Sequence, residues 1–422
     1  MSKLDDLIKE KCPNEVKVYT LGELGTFYGG LTGKSKNDFV DGNAKFITYK
    51  NVYSNPALCL DVEDKVKIAD GEKQRTLEYG DIIFTGSSET PDECGFSSVV
   101  TTKTNEKLYL NSFCFFFRLN NPGILLPDFA KHLFRSDNLR YQIGKTASGV
   151  TRFNVSKERM KSVKIPVPPL EIQNEIVQIL DNFAELTAEL TAELSNRKKQ
   201  YEYYRDLLLN FDENEQRERE RVEWFTLADV CMKISSGGTP NRSRSDYYGG
   251  SIPWVRTQEV DFCNIEDVEM SITDEGLKNS SAKWIPENCV IVAMYGATAG
   301  KSAINKIPVT TNQACCNLQV NEEIAMYKYV YYWVCREYEN LKALGQGSQN
   351  NINAGVIKSY KIPIPSLEHQ KYIVDMLDRF NVLTNDISEG LPAEIEAREK
   401  QYAYYRDKLL SFKEQKVGAI NA

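Results

Sequence analysis

The spacing of apolar and polar positions changes character twice along the chain. Leu170, Ile172, Ile176, Ile179, Phe183, Leu186 and Leu190 follow one another mostly in steps of three and four, and the stripe resumes at Tyr201, Tyr204, Leu208 and Phe211. That period is one face of a helix. About 40 residues at about 1.5 Å per residue make a rod on the order of 60 Å, too long to be held by one small core. Its expected packing partner is 367–411, where a similar stripe returns. There Gly390-Leu391-Pro392 interrupts the run. Gly suits the residue after a helix and Pro its first turn, so two helices with a bend are predicted. Elsewhere the apolar runs are short, rich in Val, Ile, Phe and Tyr, and broken by Gly, Asn and Asp, as strands and turns are. A short helix within 1–16 should stop at Pro13, and further helices are predicted over 126–140 and 323–343. The pattern predicts a mixed α/β domain in each half.

The halves repeat each other. Gln200-Tyr-Glu-Tyr-Tyr-Arg-Asp-Leu-Leu-Leu-Asn-Phe211 returns at Gln401–Phe412 with nine of twelve positions identical. Lys164-Ile-Pro-Val-Pro-Pro-Leu-Glu-Ile-Gln173 returns as Lys361-Ile-Pro-Ile-Pro-Ser-Leu-Glu-His-Gln370, the prolines making a stiff extended entry to each helix. Val18-Tyr-Thr-Leu-Gly-Glu-Leu24 matches Trp224-Phe-Thr-Leu-Ala-Asp-Val230 more loosely, Phe46-Ile47 matches Trp254-Val255, and Asn111-Ser-Phe-Cys114 matches Asn312-Gln-Ala-Cys315. The expected organisation is a pseudo-twofold internal repeat: a globular domain over 17–168, a helical spacer over 169–212, a second globular domain over 218–365 and a second helical region over 366–413. Asp212–Glu223 reads as a solvated linker. Inside the first spacer, Thr187-Ala-Glu-Leu190 is followed by Thr191-Ala-Glu-Leu194. Such a repeat changes helix length in steps of about 6 Å. It reads either as a good helix former or as a spacer whose length matters.

Charge sharpens this picture. The 422 residues carry a net −7, but 171–196 hold six acids and no Lys or Arg, whereas 140–164 hold seven bases and one acid. A basic patch beside an acidic helix implies that different parts meet different partners. An acidic N-terminus and the lack of an 18-residue apolar run predict a cytoplasmic protein with no membrane span. Ten cysteines without a Cys-x-x-Cys pair read as reduced thiols rather than a metal site, and two histidines leave little for acid–base chemistry. Gly296-Ala-Thr-Ala-Gly-Lys-Ser302 and Gly29-Gly-Leu-Thr-Gly-Lys-Ser35 resemble a phosphate-binding loop but have three residues, not four, between the glycines. No catalytic constellation and no cofactor is expected. What remains is polar loop surface suited to a nucleic-acid backbone and base edges: Lys34, Lys145, Thr151, Arg152, Arg242, Arg244, Thr298, Lys301, Ser348, Gln349 and Asn350. The plain alternative for each is an ordinary polar loop.

The twin Gln-Tyr-x-Tyr-Tyr-Arg-Asp blocks, the Pro-Leu/Ser-Leu-Glu-x-Gln entries and the Thr-Ala-Glu-Leu repeat together resemble the DNA-specificity subunits of type I restriction–modification enzymes, over essentially the whole chain. The resemblance implies two α/β target-recognition domains separated by two antiparallel helical regions, each domain reading half of an asymmetric, bipartite site in double-stranded DNA. It implies two modification subunits carrying S-adenosylmethionine and methylating adenine, restriction subunits that translocate and cut, and no catalysis by this chain. By motif, Tyr201, Tyr204, Leu208 and Phe211, with Tyr402, Tyr405, Leu409 and Phe412, would form the helix pair or the modification-subunit interface. Alternatives are a specificity subunit of a related non-translocating class, a helical scaffold without a DNA role, and an NTPase.

Overall fold

A computed structural model describes residues 2–13, 16–211, 222–345, 351–385 and 390–412. In chain order the principal helices are α1 (Ser2–Lys11), α2 (Tyr49–Ser54), α3 (Pro127–Leu133), α4 (Asp137–Gly144), α5 (Leu170–Leu208), α6 (Tyr327–Arg336), α7 (Tyr338–Ala343), α8 (Leu367–Asn385) and α9 (Leu391–Leu409). The chain divides into two compact units. One contains the chain up to Thr191 and from Glu394 on, the other Ala192–Ala393.

The first unit is built on an antiparallel sheet. Its strands include β1 (Val18–Thr20), β2 (Gly25–Gly29), β3 (Ile82–Thr85), β4 (Ser87–Ser88), β5 (Ser97–Val99), β6 (Cys114–Leu119), β7 (Ala147–Ser148), β8 (Phe153–Val155) and β9 (Lys164–Pro166). The main sheet runs β2-β6-β3-β5, with β7-β8-β4 as a smaller sheet and β1 paired to β9. β3 and most of β6 are buried, which is why they read as unbroken apolar runs. Phe84, Phe117, Phe129 and Ile165 join Ile172, Ile176 and Leu180 of α5 in one core, to which Leu409 of α9 and Leu410 just beyond it are added.

The second unit repeats this plan with β10 (Glu223–Thr226), β11 (Cys231–Ser236), β12 (Cys263–Ile265), β13 (Val290–Ala293), β14 (Ser302–Asn305), β15 (Cys315–Val320) and β16 (Lys361–Ile364). The order is β11-β15-β13-β14-β12, with β10 paired to β16. Its core gathers Val290, Val292, Leu318, Tyr329 and Val334 with Ile373, Val374 and Leu377 of α8 and Leu209 beyond α5.

The repeated motifs have physical causes. Gln173 is fully buried; its Oε1 accepts from the Leu126 amide at 2.8 Å and its Nε2 donates to the carbonyls of Ile124 and Pro168. Gln370 does the same for Met326, Ile324 and Pro365. Each glutamine thereby pins a helix start to the domain beneath it, and a buried amide must find such partners. The Thr-Leu-x-acid motifs close a turn in each half: Glu23 accepts from the Thr20 amide at 2.7 Å and Asp229 from the Thr226 amide at 2.8 Å. Phe46-Ile47 pairs in parallel with Tyr109-Leu110, as Trp254-Val255 does with Thr310-Thr311. The amides of Asn111 and Asn312 then donate to the carbonyls of Ile47 and Val255.

α5 is one helix of 39 residues, as the periodicity predicts, and the second helical region is two helices that part before Leu391. The predicted helices over 126–140 and 323–343 are each two short ones. Ser136 leaves the helix (ψ 151°) and its hydroxyl donates to the Leu133 carbonyl, and Glu337 (ψ 9°) ends α6.

Candidate nucleic-acid interface

In the first unit the basic stretch folds into a β-hairpin. Ala147 and Ser148 pair with Val155 and Asn154, and Asn154 and Phe153 pair with Ser87 and Ser88. The tip, Gly149-Val-Thr-Arg152, projects: Val150 is 92% exposed. A β-carbon on Gly149 would meet the Arg152 carbonyl oxygen at 2.0 Å, so only glycine closes this turn. Arg152 is exposed, yet its Nε and Nη2 both donate to Ser87 Oγ, at 3.2 and 3.0 Å. This fixes one edge of the guanidinium and leaves the Nη1/Nη2 edge to solvent. Phe113, 61% exposed, lies with its ring centroid 6.0 Å from the Arg152 guanidinium. Its backbone is pinned, the Gly86 amide donating to the Phe113 carbonyl and the Phe113 amide to Asn111 Oδ1.

Arg152, Thr151 and Phe113 line a cleft of about 600 Å³ together with Tyr49, Tyr53 and Glu93. The Glu93 carboxylate accepts from Ser88 Oγ at 2.9 Å and from Tyr53 Oη at 3.2 Å. These bonds, the Ser88 hydroxyl first, hold its pKa below the usual carboxylate value, so it stays an acceptor. Arg135 and Arg140 bracket the Phe96 ring at 4.6 and 4.3 Å and donate to the carbonyls of Val52, Tyr53, Asp92, Cys94, Gly95 and Ser97. They brace the wall of the cleft and are not surface cations. Lys145 is exposed, its ammonium 4.0 Å from the Tyr141 ring centroid.

The other predicted positions scatter. Lys34 is nearly covered and is held by Glu72 at 2.6 Å and by the Lys67 carbonyl; the Lys34 ammonium, with other bonds, takes Glu72 down to about 2. It is a clamp within the first unit. In the second unit Arg242 and Arg244 are exposed on one loop, with Arg244 paired to Asp246 at 2.7 Å. Thr298 donates to the Thr257 carbonyl, and Lys301 pairs with Asp261 at 2.6 Å beside the Phe262 ring. Gly296–Lys301 is the turn joining β13 to β14, and its amides at Ala299, Gly300 and Lys301 donate to the carbonyls of Gly296, Ala293 and Thr298. A strand comes after it, not a helix, and those amides are already bonded, so it is no phosphate cradle and the NTPase reading loses this motif. Ser348, Gln349 and Asn350 lie outside the described residues.

The two aromatic stripes face inward. Tyr204 stacks on Phe380 of α8 (5.5 Å, 23°) and Tyr201, Leu208 and Phe211 pack against the second unit's core. Tyr405 stacks on Phe183 of α5 (5.3 Å, 14°), and Tyr402, Leu409 and Phe412 pack against the first unit's core. All eight side chains pack within one unit or the other. The neighbours that the stripe skips, Tyr203 (64%), Leu207 (46%) and Tyr404 (60%), are exposed. The signal for them was in the sequence: the side chain one step off a buried stripe points away from it. Glu93 and Phe113 carried no such signal, because the fold brings them from distant positions to the cleft that Arg152 lines. His132 is buried, Nε2 against Asp181 at 2.7 Å and Nδ1 against Tyr402 Oη at 2.8 Å. Among the described residues no His/Cys/Asp/Glu group could hold a metal, and no helix is long and apolar enough to cross a membrane.

The profile of the type I restriction modification DNA specificity domain matches residues 13–198 and again 219–397. The chain is 43% identical over 270 residues to the type I restriction enzyme EcoR124I/EcoR124II specificity subunit of Escherichia coli; the match covers 61% of this chain and 65% of that one. It is 32% identical over 281 residues to a putative type I specificity subunit of Haemophilus influenzae, covering 63% of this chain and 68% of the other. Among solved structures, a type I restriction–modification assembly chain aligns over 94% of this chain and 97% of its own with TM-score 0.63 at 17% identity. The Mycoplasma genitalium S subunit aligns over 94% and 96% with TM-score 0.52 at 15% identity. At these identities the structural matches establish the fold.

Proposed function

The chain belongs to the type I restriction modification DNA specificity family, and on that premise we propose that it reads a bipartite, asymmetric site in double-stranded DNA and directs modification and restriction subunits to it. One observation carries the reading: the same β framework and the same glutamine-pinned helix entry occur twice, while the loops on the two frameworks differ. The first unit presents a Gly149–Arg152 hairpin and Phe113; the second presents Arg242, the Lys301–Asp261 turn and Gln313. Two like frames with unlike loops suit a target whose halves are unlike. Arg152, Lys145 and Thr151 in the first unit, and Arg242 and Arg244 in the second, are the proposed DNA contacts.

In this reading the chain itself is non-catalytic. Two modification subunits dock on the outward faces of the helical regions, where Tyr203, Leu207 and Tyr404 present apolar and aromatic surface. Restriction subunits join that core, and the complex works in the cytoplasm. The test is genome-wide adenine-methylation sequencing of cells expressing this chain with its neighbouring modification subunit, against cells without it. A new two-part motif with a fixed gap is the expected result. No new motif, with an active modification subunit, would leave the helical-scaffold reading in its place.

A further inference from the structure

We propose that the hairpin tip and the cleft beside it are the base-reading pocket of the first unit, and that Arg152 selects a guanine there through its free Nη1/Nη2 edge. The inference rests on the proposed DNA-reading function and adds the base and the residues that choose it. Three features converge. The guanidinium is held in place before any ligand arrives, since Ser87 Oγ accepts from Nε and Nη2. A fixed two-donor edge matches the O6 and N7 acceptors that guanine shows in the major groove, which is wide enough for a two-stranded ribbon such as β7–β8. Glu93 lines the same cleft, kept charged by Ser88 and Tyr53. A carboxylate repels phosphate, so the cleft does not suit the backbone. It accepts instead from the N4 amino group of a cytosine. Phe113 and Val150, both exposed, supply the apolar contacts that a base ring or a thymine methyl offers.

A phosphate-contacting arginine and a base-reading arginine are told apart by pattern, not by loss of affinity. The experiment uses the assembled complex of this chain with its modification subunits, with methylated motifs sequenced for the unaltered chain and for R152A, R152K and E93Q. The expected result is a G in one half of the motif that R152A and R152K both cease to select. Methylation at the original sites should fall about 5- to 150-fold relative to sites changed at that position, with the other half and the gap unchanged. R152K keeps the charge and loses the fork, so it should fail like R152A. E93Q should relax selection at the same or the adjacent base pair. The proposal is overturned if R152K keeps full selectivity, or if both Arg152 variants lower methylation equally at every site. An unaltered complex that methylates no bipartite motif overturns the parent reading, and this one with it.

Discussion

His132 shows how one side chain couples a helix from the end of the chain to the first unit. The Nε2–H donates to Asp181 and Tyr402 Oη donates to Nδ1, an arrangement that suits the neutral ring. Burial lowers the pKa of His132 below its ordinary 6.5, more than Asp181 raises it. Asp181 is pushed up by burial, but its bonds to His132 and Lys131 outweigh this and leave it lowered. The surroundings include Lys131 and Asp128 on α3, with Arg406 on α9 near Tyr402. The unfolded ring binds a proton at 6.5 while the folded ring resists, so this stability is present above pH 6.5 and is lost as pH falls through the lowered value. The lowered Asp181 acts in the same direction at lower pH. Urea midpoints measured between pH 7.5 and pH 5 should therefore fall. In H132Y, which places here the tyrosine that bonds Asp378 from position 332 in the other unit, the decline should be shallower. Equal slopes would mean that His132 is not the titrating group.

Each long helical element carries two opposed faces, and the adjacent tyrosines sort between them. Y204A and Y405A remove a stacked ring from within a unit and should cost about 1–3 kcal/mol, less than a fully buried aromatic. Y203A and Y404A touch the exposed face and should change stability by under about 0.5 kcal/mol, yet weaken capture of the modification subunits in a pull-down from the co-expressed complex. The reverse pattern would put the docking surface on another face. The sequence made the helices legible because period, proline entry and glycine stop are local properties of the chain. The period also put Tyr204 rather than Tyr203 in the stripe, but it did not reveal that the ring Tyr204 meets is Phe380, far away in sequence. Nor did it show that Lys34 is clamped by Glu72 or that Arg152 meets Ser87, because each pairing is made by strands that join distant residues. Arg152 and Lys301 look alike in sequence as basic residues in glycine-containing loops. Only the fold leaves one edge of the first free and ties the second to Asp261.

For the whole molecule, the repeat inside α5 gives the most direct test of how its parts act together. Thr187 and Thr191 donate their hydroxyls to the carbonyls of Phe183 and Thr187 one turn back, and Glu193 pairs with Arg197 one turn on, so the polar atoms here find partners along the helix itself. Of the side chains from Ala184 to Leu194 none is buried. A four-residue unit can therefore be removed without opening a core. Deleting Thr191–Leu194 shortens the helix by about 6 Å and turns the remainder of the helix by about 40°. The glutamine-pinned starts, the stacked tyrosines and the Gly149–Arg152 hairpin are all outside the deleted stretch. If α5 acts as a ruler, the sequenced motif should keep both half-sites and lose part of the unread gap. If the gap is unchanged, the helix does not set it, and if both halves change, the units do not read independently. An Ala-rich replacement of the same length, Thr191-Ala-Glu-Leu to four alanines, separates the two causes. It preserves helix length with better helix propensity, so the gap should stay as it was, and a changed gap would mean that side chains in this stretch, not its length, determine the spacing.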